Sequence, residues 1–151
     1  MEINEGKGNI KEYYDNGKLK FEGEYSDGKR NGKGKEYNYD SRLIFEGDYL
    51  NGKRWNGKVR EYHDNGALQF EGEYLNGMKN GKGKEYYDNG RLGNEGEYLN
   101  GSRWNGKIKG YYYDGKLEFE GEYSDGIRNG KGKEYYDNGE LKFEGEYLNG
   151  K

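Results

Sequence analysis

The chain predicts an all-β fold: a single-layer, elongated antiparallel meander of about twelve strands, built from six repeated β-hairpins. Three observations carry that expectation. The phrase Phe-Glu-Gly-Glu-Tyr begins at Phe21, Phe45, Phe70, Asn94, Phe119 and Phe143, with Asp48 replacing Glu once and Asn94 replacing Phe once. A second phrase, Asn-Gly-Lys-Gly-Lys-Glu-Tyr, fills the gaps at Asn31, Asn80 and Asn129. Fixed-period self-similarity over the whole length is the signature of a repeat array. Asn-Gly pairs stand between the phrases at 16–17, 65–66, 89–90 and 138–139, and Asn-Gly is the strongest short-range hairpin signal because both turn positions favour φ > 0.

Composition supports strands over disorder. Of the 151 residues, 36% are charged and only 29% are hydrophobic, a balance that on its own resembles a disordered chain. The aromatic share of 17%, led by 18 Tyr, opposes that reading, since such residues favour strands and bury large areas. There are 29 Gly, no Pro and no Cys. The last count removes disulfide frameworks, thiolate metal sites and a cysteine nucleophile. Residues 1–5 are acidic and lead straight into a repeat, so they read as no signal peptide, and no stretch reaches transmembrane length. If Met1 is the natural start, the expected compartment is cytoplasmic.

All 151 residues read as one array, with hairpins at approximately 8–25, 32–49, 57–74, 81–98, 106–123 and 130–147. The first turns at Asn16-Gly17. The second has Asp40-Ser41 in place of Asn-Gly and should have the least regular turn. In the third, a two-residue loop at 65–66 puts Val59 opposite Gly72, Glu61 opposite Phe70 and His63 opposite Leu68. Leu68, Phe70 and Tyr74 then share one face. Lys58 pairs with Glu73 and Arg60 with Glu71 on the other. The fourth and sixth give Lys84 with Glu95 and Lys133 with Glu144, pairs worth about 0.2–1 kcal/mol each. In the fourth, Gly83 faces Gly96 and Gly81 faces Tyr98. The fifth turns at Asp114-Gly115. A three-residue loop closed by a Gly bulge is the rival geometry and would set Arg60 against Phe70. Strand glycines leave room for a neighbouring ring or let the sheet bend.

The phrase starts are spaced 24, 25, 24, 25 and 24 residues apart, so two hairpins make a 49-residue double unit. The extra residue sits in the linkers that carry Trp55 and Trp104. One inserted residue would invert every later side chain unless a bulge or a longer loop absorbs it. The same units replace a strand Gly with Val59 or Ile108, four residues after each Trp. The two tryptophans are expected in equivalent positions, packed on those β-branched side chains. Ile10 matches them one period earlier.

These phrases resemble the MORN repeat family, in particular its bacterial variant form with shorter units. The matching residues are Tyr-Tyr-Asp-Asn-Gly-Lys-Leu at 13–19, followed by Phe-Glu-Gly-Glu-Tyr and then Leu-Asn-Gly-Lys, and the resemblance covers residues 8–151. It implies an elongated single-sheet module that serves as a scaffold, a protein-binding platform or a membrane-associated segment. An antitoxin role is assigned to several bacterial variant-form proteins, which implies binding of a partner toxin. The Trp insertions, the Gly93-Asn94 substitution and the Asp40-Ser41 turn depart from the pattern. The tyrosine-rich turn phrase is also similar to the hairpins of choline- and cell-wall-binding repeats, although the Glu-Gly-Glu-Tyr phrase and the period fit those less well.

No catalytic or metal constellation emerges, so no enzyme, cofactor or metal is expected. His63, the sole histidine, occupies the place of a repeat tyrosine such as Tyr14 or Tyr87. Ser26, Ser41, Ser102 and Ser124 fall in connections with no base at a suggestive spacing. Glu22, Glu24, Glu71, Glu73, Glu95 and Glu97 could supply a carboxylate pair, but they repeat in every unit with Lys or Arg opposite and read as a solvated ladder. The Asp-Asn-Gly turns lack the alternating acids of a calcium loop. Gly-Lys-Gly-Lys at 32–35, 81–84 and 130–133 lacks the following Ser or Thr and the helix of a phosphate loop. With 29 acids against 26 bases and no basic stripe, nucleic acid and anionic membrane are disfavoured as partners.

The aromatic face remains. It has no second layer to cover it, and exposed apolar surface usually marks a contact. Tyr and Trp are common interface anchors. The expected function is a non-enzymatic scaffold that binds a protein partner through Tyr25, Tyr49, Trp55, Tyr74, Tyr98, Trp104 and Tyr123. An antitoxin or immunity-type role is one form of it. A carbohydrate or cell-wall module and a membrane-associated scaffold are the alternatives. End strands with unpaired backbone groups, at 8–13 and 141–147, further predict an end-to-end homo-oligomer or a cut from a longer array. Small-angle scattering checks the elongated architecture. The radius of gyration should clearly exceed the roughly 15 Å of a globule of this length, and a value near it would overturn the single-layer expectation.

Overall fold

The computed structural model describes residues 7–101 and 104–151. Its strands are β1 (Lys7–Tyr13), β2 (Leu19–Ser26), β3 (Lys29–Tyr37), β4 (Leu43–Leu50), β5 (Lys53–Tyr62) and β6 (Leu68–Leu75). They continue as β7 (Met78–Tyr86), β8 (Leu92–Tyr98), β9 (Gly106–Tyr111), β10 (Leu117–Ser124), β11 (Ile127–Tyr135) and β12 (Leu141–Tyr147). All twelve lie in one open antiparallel sheet in chain order, and no helix occurs among the described residues. The residues group into two units, 1–60 with 74–78 and 61–73 with 79–151.

The Asp-Asn-Gly turns are three-residue loops. In the first, the Gly17 amide donates to the Tyr14 carbonyl and the Tyr14 amide to the Lys18 carbonyl, with Gly17 at φ 85°. This is the rival loop geometry, yet the strands obey the two-residue register. A second irregularity reconciles them: Tyr13 faces Leu19 but Glu12 faces Phe21, so one residue is bulged out just beyond the loop. Lys84 therefore faces Glu95, Gly83 faces Gly96, Gly81 faces Tyr98 and Lys133 faces Glu144, as the sequence predicts. The same loop-plus-bulge pattern recurs at Tyr37, Tyr86 and Tyr135.

The second turn is not irregular. It makes the same two bonds, Ser41 amide to Asn38 carbonyl and Asn38 amide to Arg42 carbonyl. Ser41 takes the glycine position at φ 67°. The Asn38 side-chain oxygen accepts the Asp40 and Arg42 amides, which stabilises the loop that Ser41 strains.

The linkers are hairpins too. Asp27-Gly28, Asn51-Gly52, Asn76-Gly77, Asn100-Gly101, Asp125-Gly126 and Asn149-Gly150 all have positive φ at both positions, the type I′ turn. The five from Asn51-Gly52 onward are stitched to an earlier part of the chain. The Asn51 amide donates to Asn31 Oδ1 and the Gly52 amide to the Arg30 carbonyl, and the pattern repeats at Asn76-Gly77, Asn100-Gly101 and Asn149-Gly150.

Just past the turn, Tyr25 faces Arg30 but Gly23 faces Gly34, so Glu24 stands against the three residues 31–33. Its carboxylate fills this bulge and accepts the Lys33 amide at 2.6 Å, over a Gly32 held at φ 99°. Glu122 does the same for Lys131. The second Glu of Phe-Glu-Gly-Glu-Tyr is thus a bulge cap.

The expected equivalence of Trp55 and Trp104 does not hold. Trp55 lies within β5 as a single extra residue, because Tyr49 faces Arg54 while Asp48 faces Asn56. Trp104 precedes β9, is buried, and adopts φ 59°. Only their carbonyls are equivalent, accepting the Gly77 and Gly126 amides. The β-branched residues fill space differently as well. Val59 faces Phe45, whereas Ile108 faces Gly121 and extends over Gly96.

Two backbone contrasts can be measured by urea denaturation. Ser41→Gly should stabilise the protein by about 0.5–1 kcal/mol, as relief of left-handed strain exceeds the added chain entropy. A Cβ at Gly23 would lie 2.5 Å from the Gly34 Cα. Gly23→Ala should therefore cost about 1–3 kcal/mol, while Gly8→Ala, with nothing within 4 Å of the added carbon, should be nearly neutral.

Candidate functional site

The aromatic face is more closed than its composition suggests. Phe21 and Phe45 are wholly buried in a sheet with no helix on it. Glycine makes this possible. A Cβ at Gly34 would lie 2.6 Å from the Phe21 ring and 3.0 Å from Tyr49, so the rings rest directly on backbone. Tyr49 then meets both Phe21 and Phe45 edge-on, at centroid distances of 5.1 and 5.2 Å. Such edge-to-face pairs add about 0.5–1.5 kcal/mol each beyond area burial. A cation closes the top: Arg30 over Phe21 at 4.2 Å and Arg54 over Phe45 in the first unit, Lys79 over Phe70 and Arg128 over Phe119 in the second.

Those cations are tied to the Glu of Lys-Glu-Tyr, which shares this face. Glu36 accepts from Arg54 Nε at 3.0 Å and from the Tyr49 hydroxyl at 2.8 Å, with Arg30 at 3.7 Å. Glu12 accepts from Arg30 and from the Tyr25 hydroxyl. Tyr98 donates to Glu85, and Arg128 pairs with Glu134. Burial alone would raise the Glu36 carboxyl, but Arg54, Tyr49 and Arg30 overrule it, and the group sits below its ordinary value. Tyr49 moves upward through burial and then through the charge and hydrogen bond of Glu36. The other face carries the predicted ladder, Lys35 with Glu22 and Glu46. There Tyr37, Tyr86, Tyr111 and Tyr135 donate to Glu22, Glu71, Glu95 and Glu120. Burial and Glu95 push Tyr111 up to about 12.

Of the residues singled out for partner binding, Tyr25, Tyr49, Tyr98 and Trp104 are buried. Trp104 stacks on Tyr98 at 4.8 Å. Trp55, Tyr74 and Tyr123 are half-buried. His63 does stand in for a tyrosine. Its Nε2 lies 2.8 Å from the Tyr86 carbonyl, as the Tyr14, Tyr87 and Tyr112 hydroxyls reach Tyr37, Tyr111 and Tyr135. Ser26 and Ser124 close β2 and β10, and Ser102 lies outside the described residues. Among the described residues, no three His, Cys, Asp or Glu gather to hold a metal ion, and no helix is long and apolar enough to cross a membrane.

The exposed apolar surface lies elsewhere, on the two loop margins. Leu50, Leu75 and Met78 flank the type I′ turns of the first unit, and Leu99, Ile127 and Leu148 those of the second, each more than 40% exposed. Gly77 packs against the Trp55 ring beside the first group. At the other margin Tyr39 leans on Tyr14 and bonds Asp15, and Tyr113 leans on Tyr87 and bonds Asp88. The signal for the leucine margin was present in the sequence: an apolar residue directly before Asn-Gly sits at a strand end, where no ring can cover it.

Tandem hairpins, with rings laid on glycine and turns stitched to earlier parts of the chain, define a β-hairpin repeat protein. The chain belongs to the MORN repeat family. The MORN repeat model matches residues 21–41, 70–90 and 119–140, and the MORN repeat variant model matches 7–27, 55–76 and 104–125. Together they take in well over half of the chain, and the 49-residue spacing of the matches is the double unit seen in the sequence. Comparison with curated proteins finds no match.

The charge lattice makes a pH-dependent prediction. Because the Glu36 pKa is lowered on folding, its stabilisation is full above the ordinary value of about 4.3 and is lost as pH falls through the folded value. At neutral pH, Glu36→Gln should cost about 1.5–3 kcal/mol, and the gap to wild type should narrow in acid. Glu46→Gln, on the exposed ladder, should cost less than about 0.5 kcal/mol. Raised tyrosines work in the opposite direction: Tyr111 stabilises fully below about pH 10 and loses its contribution as pH rises towards its folded value. Denaturant titrations across pH test both arms.

Proposed function

We propose that the chain is a non-enzymatic scaffold that binds a protein partner. The MORN family is a repeat module without chemistry of its own and is often protein- or membrane-binding. The observation that carries the reading is the leucine margin: Leu50, Leu75, Leu99 and Leu148 stand exposed directly before the turn in four repeats, and Met78 and Ile127 directly after it in two. Single exposed leucines are ordinary, but a recurring row offers one partner many equivalent contacts, so affinity accumulates without a deep pocket. Trp55, Tyr74 and Tyr123 extend this surface as half-buried anchors. The buried Tyr25, Tyr49, Tyr98 and Trp104 support it from below. A tight, specific partner of this kind is consistent with an antitoxin or immunity-type role.

The opposite margin favours a second reading. Exposed Tyr39 and Tyr113, leaning on half-buried Tyr14 and Tyr87 and each beside an Asp, have the flat ring and adjacent acceptor that a sugar or choline group uses. Affinity capture from the native host, followed by mass spectrometry, separates the two. Wild type should retain one protein, and Leu50→Ser with Leu75→Ser and Met78→Ser should lose it by at least about tenfold, with circular dichroism unchanged. Elution by free sugar or choline, or retention of phospholipid vesicles instead of protein, would overturn the proposal. So would capture unchanged in the triple variant.

A further inference from the structure

We propose that the outer edge of β12 takes up β1 of a second copy of this chain, continuing the sheet in the register of its own interior. On the charged face, Lys and Glu alternate from strand to strand. Lys11 faces Glu22, Glu22 faces Lys35, Lys35 faces Glu46 and Glu46 faces Lys58 in the first unit. In the second, Lys84, Glu95, Lys109, Glu120, Lys133 and Glu144 face one another in turn. Glu22, Lys35, Glu46, Glu95, Lys109, Glu120 and Lys133 each have a register partner on both sides. Among the described residues Lys11 pairs with Glu22 on one side, and Glu144 with Lys133 on one side. The ladder therefore presents a base at one outer strand and an acid at the other. Glu146, on the same face as Glu144, comes opposite Asn9 in this register, with Lys7 two residues further along that face, within diagonal reach of a long side chain.

The aromatic face supports the same pairing. Phe21, Phe45, Phe70 and Phe119 are 0–3% exposed, but Phe143, in the same phrase, is 41% exposed. Each of the first four has a strand on both sides, and β12 has β11 alone. In the interior the strand beyond Phe21 brings Glu36 opposite the ring. On β1 the corresponding residue is Glu12, one position after Lys11. Setting Phe143 opposite Glu12 of the second copy places Glu144 opposite Lys11 of the second copy and Gly145 opposite its Ile10. The β8–β9 pair already uses this register, with Asn94 on Gly110, Glu95 on Lys109, and Ile108 extended over Gly96. Strand direction also fits, because successive strands are antiparallel and an even strand takes an odd one beside it. The contact is heterologous, so it does not close on itself at two copies by symmetry.

Sedimentation velocity of the 151-residue chain should show association that grows with concentration. Lys7→Glu with Lys11→Glu should weaken it at least about tenfold, and Glu144→Lys with Glu146→Lys should do the same. Circular dichroism should confirm that both double variants stay folded. Mixing the two variants should restore concentration-dependent association at one-to-one stoichiometry, since the acidic β1 of one meets the basic β12 of the other and the unchanged β12 of the first meets the unchanged β1 of the second. A wild-type monomer at every attainable concentration would overturn the proposal. Association lost on changing β12 but kept on changing β1 would also overturn it, by showing that β12 pairs with itself. So would a mixture that fails to associate although each variant is folded and monomeric.

Discussion

The structure depends on laying a phenylalanine ring directly on a glycine backbone. A sheet with no helical layer must bury apolar surface within its own thickness. Only large flat rings close to the backbone can do that at this composition. Gly34 must lack a Cβ because Phe21 and Tyr49 occupy its place. Tyr49 must be there because it is the edge that meets Phe21 and Phe45 together. The repeat phrases follow from that geometry: Phe supplies the ring, Gly the floor, Tyr the wall and Arg or Lys the lid. The three-residue bulge opposite Glu24 then brings Arg30 alongside Tyr25, close enough to cover the ring.

Charge does two different jobs on the two faces. Lys35 and Glu46 are 3.9 Å apart with both side chains about half exposed, a solvated pair that contributes little. Glu36 is mostly buried, accepts an Arg and a Tyr, and faces a second Arg. Removing one member of that group strands the others away from water, so the lattice is costly to break even where its net contribution is modest. It also locks the tyrosine hydroxyls, which fixes the rings as walls and leaves them poorly available to a ligand.

The sequence reveals the strand count, the register and the faces of this protein, because each repeats six times and any local error is corrected by its neighbours. Its two-residue loops were wrong, yet the register held, since the third loop residue and the bulge at the next position cancel. The linkers were misread although Asn51-Gly52 and Asn76-Gly77 carry the same turn signal as Asn16-Gly17. Burial of Tyr25, Tyr49 and Tyr98 was not legible either. It depends on groups arriving from further along the chain, Arg30 opposite Tyr25, Arg54 opposite Tyr49 and Trp104 on Tyr98. The neighbouring Gly32, Gly81, Gly106 and Gly130 have a positive φ that leaves no mark in a hydrophobic pattern. Trp55 and Trp104 look alike in sequence, but only one of them faces a missing ring.

That missing ring shows how the array tolerates variation. Where the phrase changes to Gly-Asn-Glu-Gly-Glu-Tyr, Asn94 stands in the Phe position and loses the ring. It still faces Glu85 on β7, and on β9 it faces Gly110, where a Cβ would lie 2.9 Å from the Asn94 side chain. Trp104, arriving from the linker, stacks on Tyr98 and is buried. Ring, facing glycine and linker thus change together at one level. The turn-flanking Leu99 nearby keeps its place and exposure. The core can be rebuilt locally while the margin stays constant, because the loops are fixed by backbone stitches such as Asn100 to Asn80 and Gly101 to Lys79 rather than by the rings. The turns are thus set by the backbone rather than by the rings, and an interior substitution such as Asn94 leaves the residues that flank them where they are.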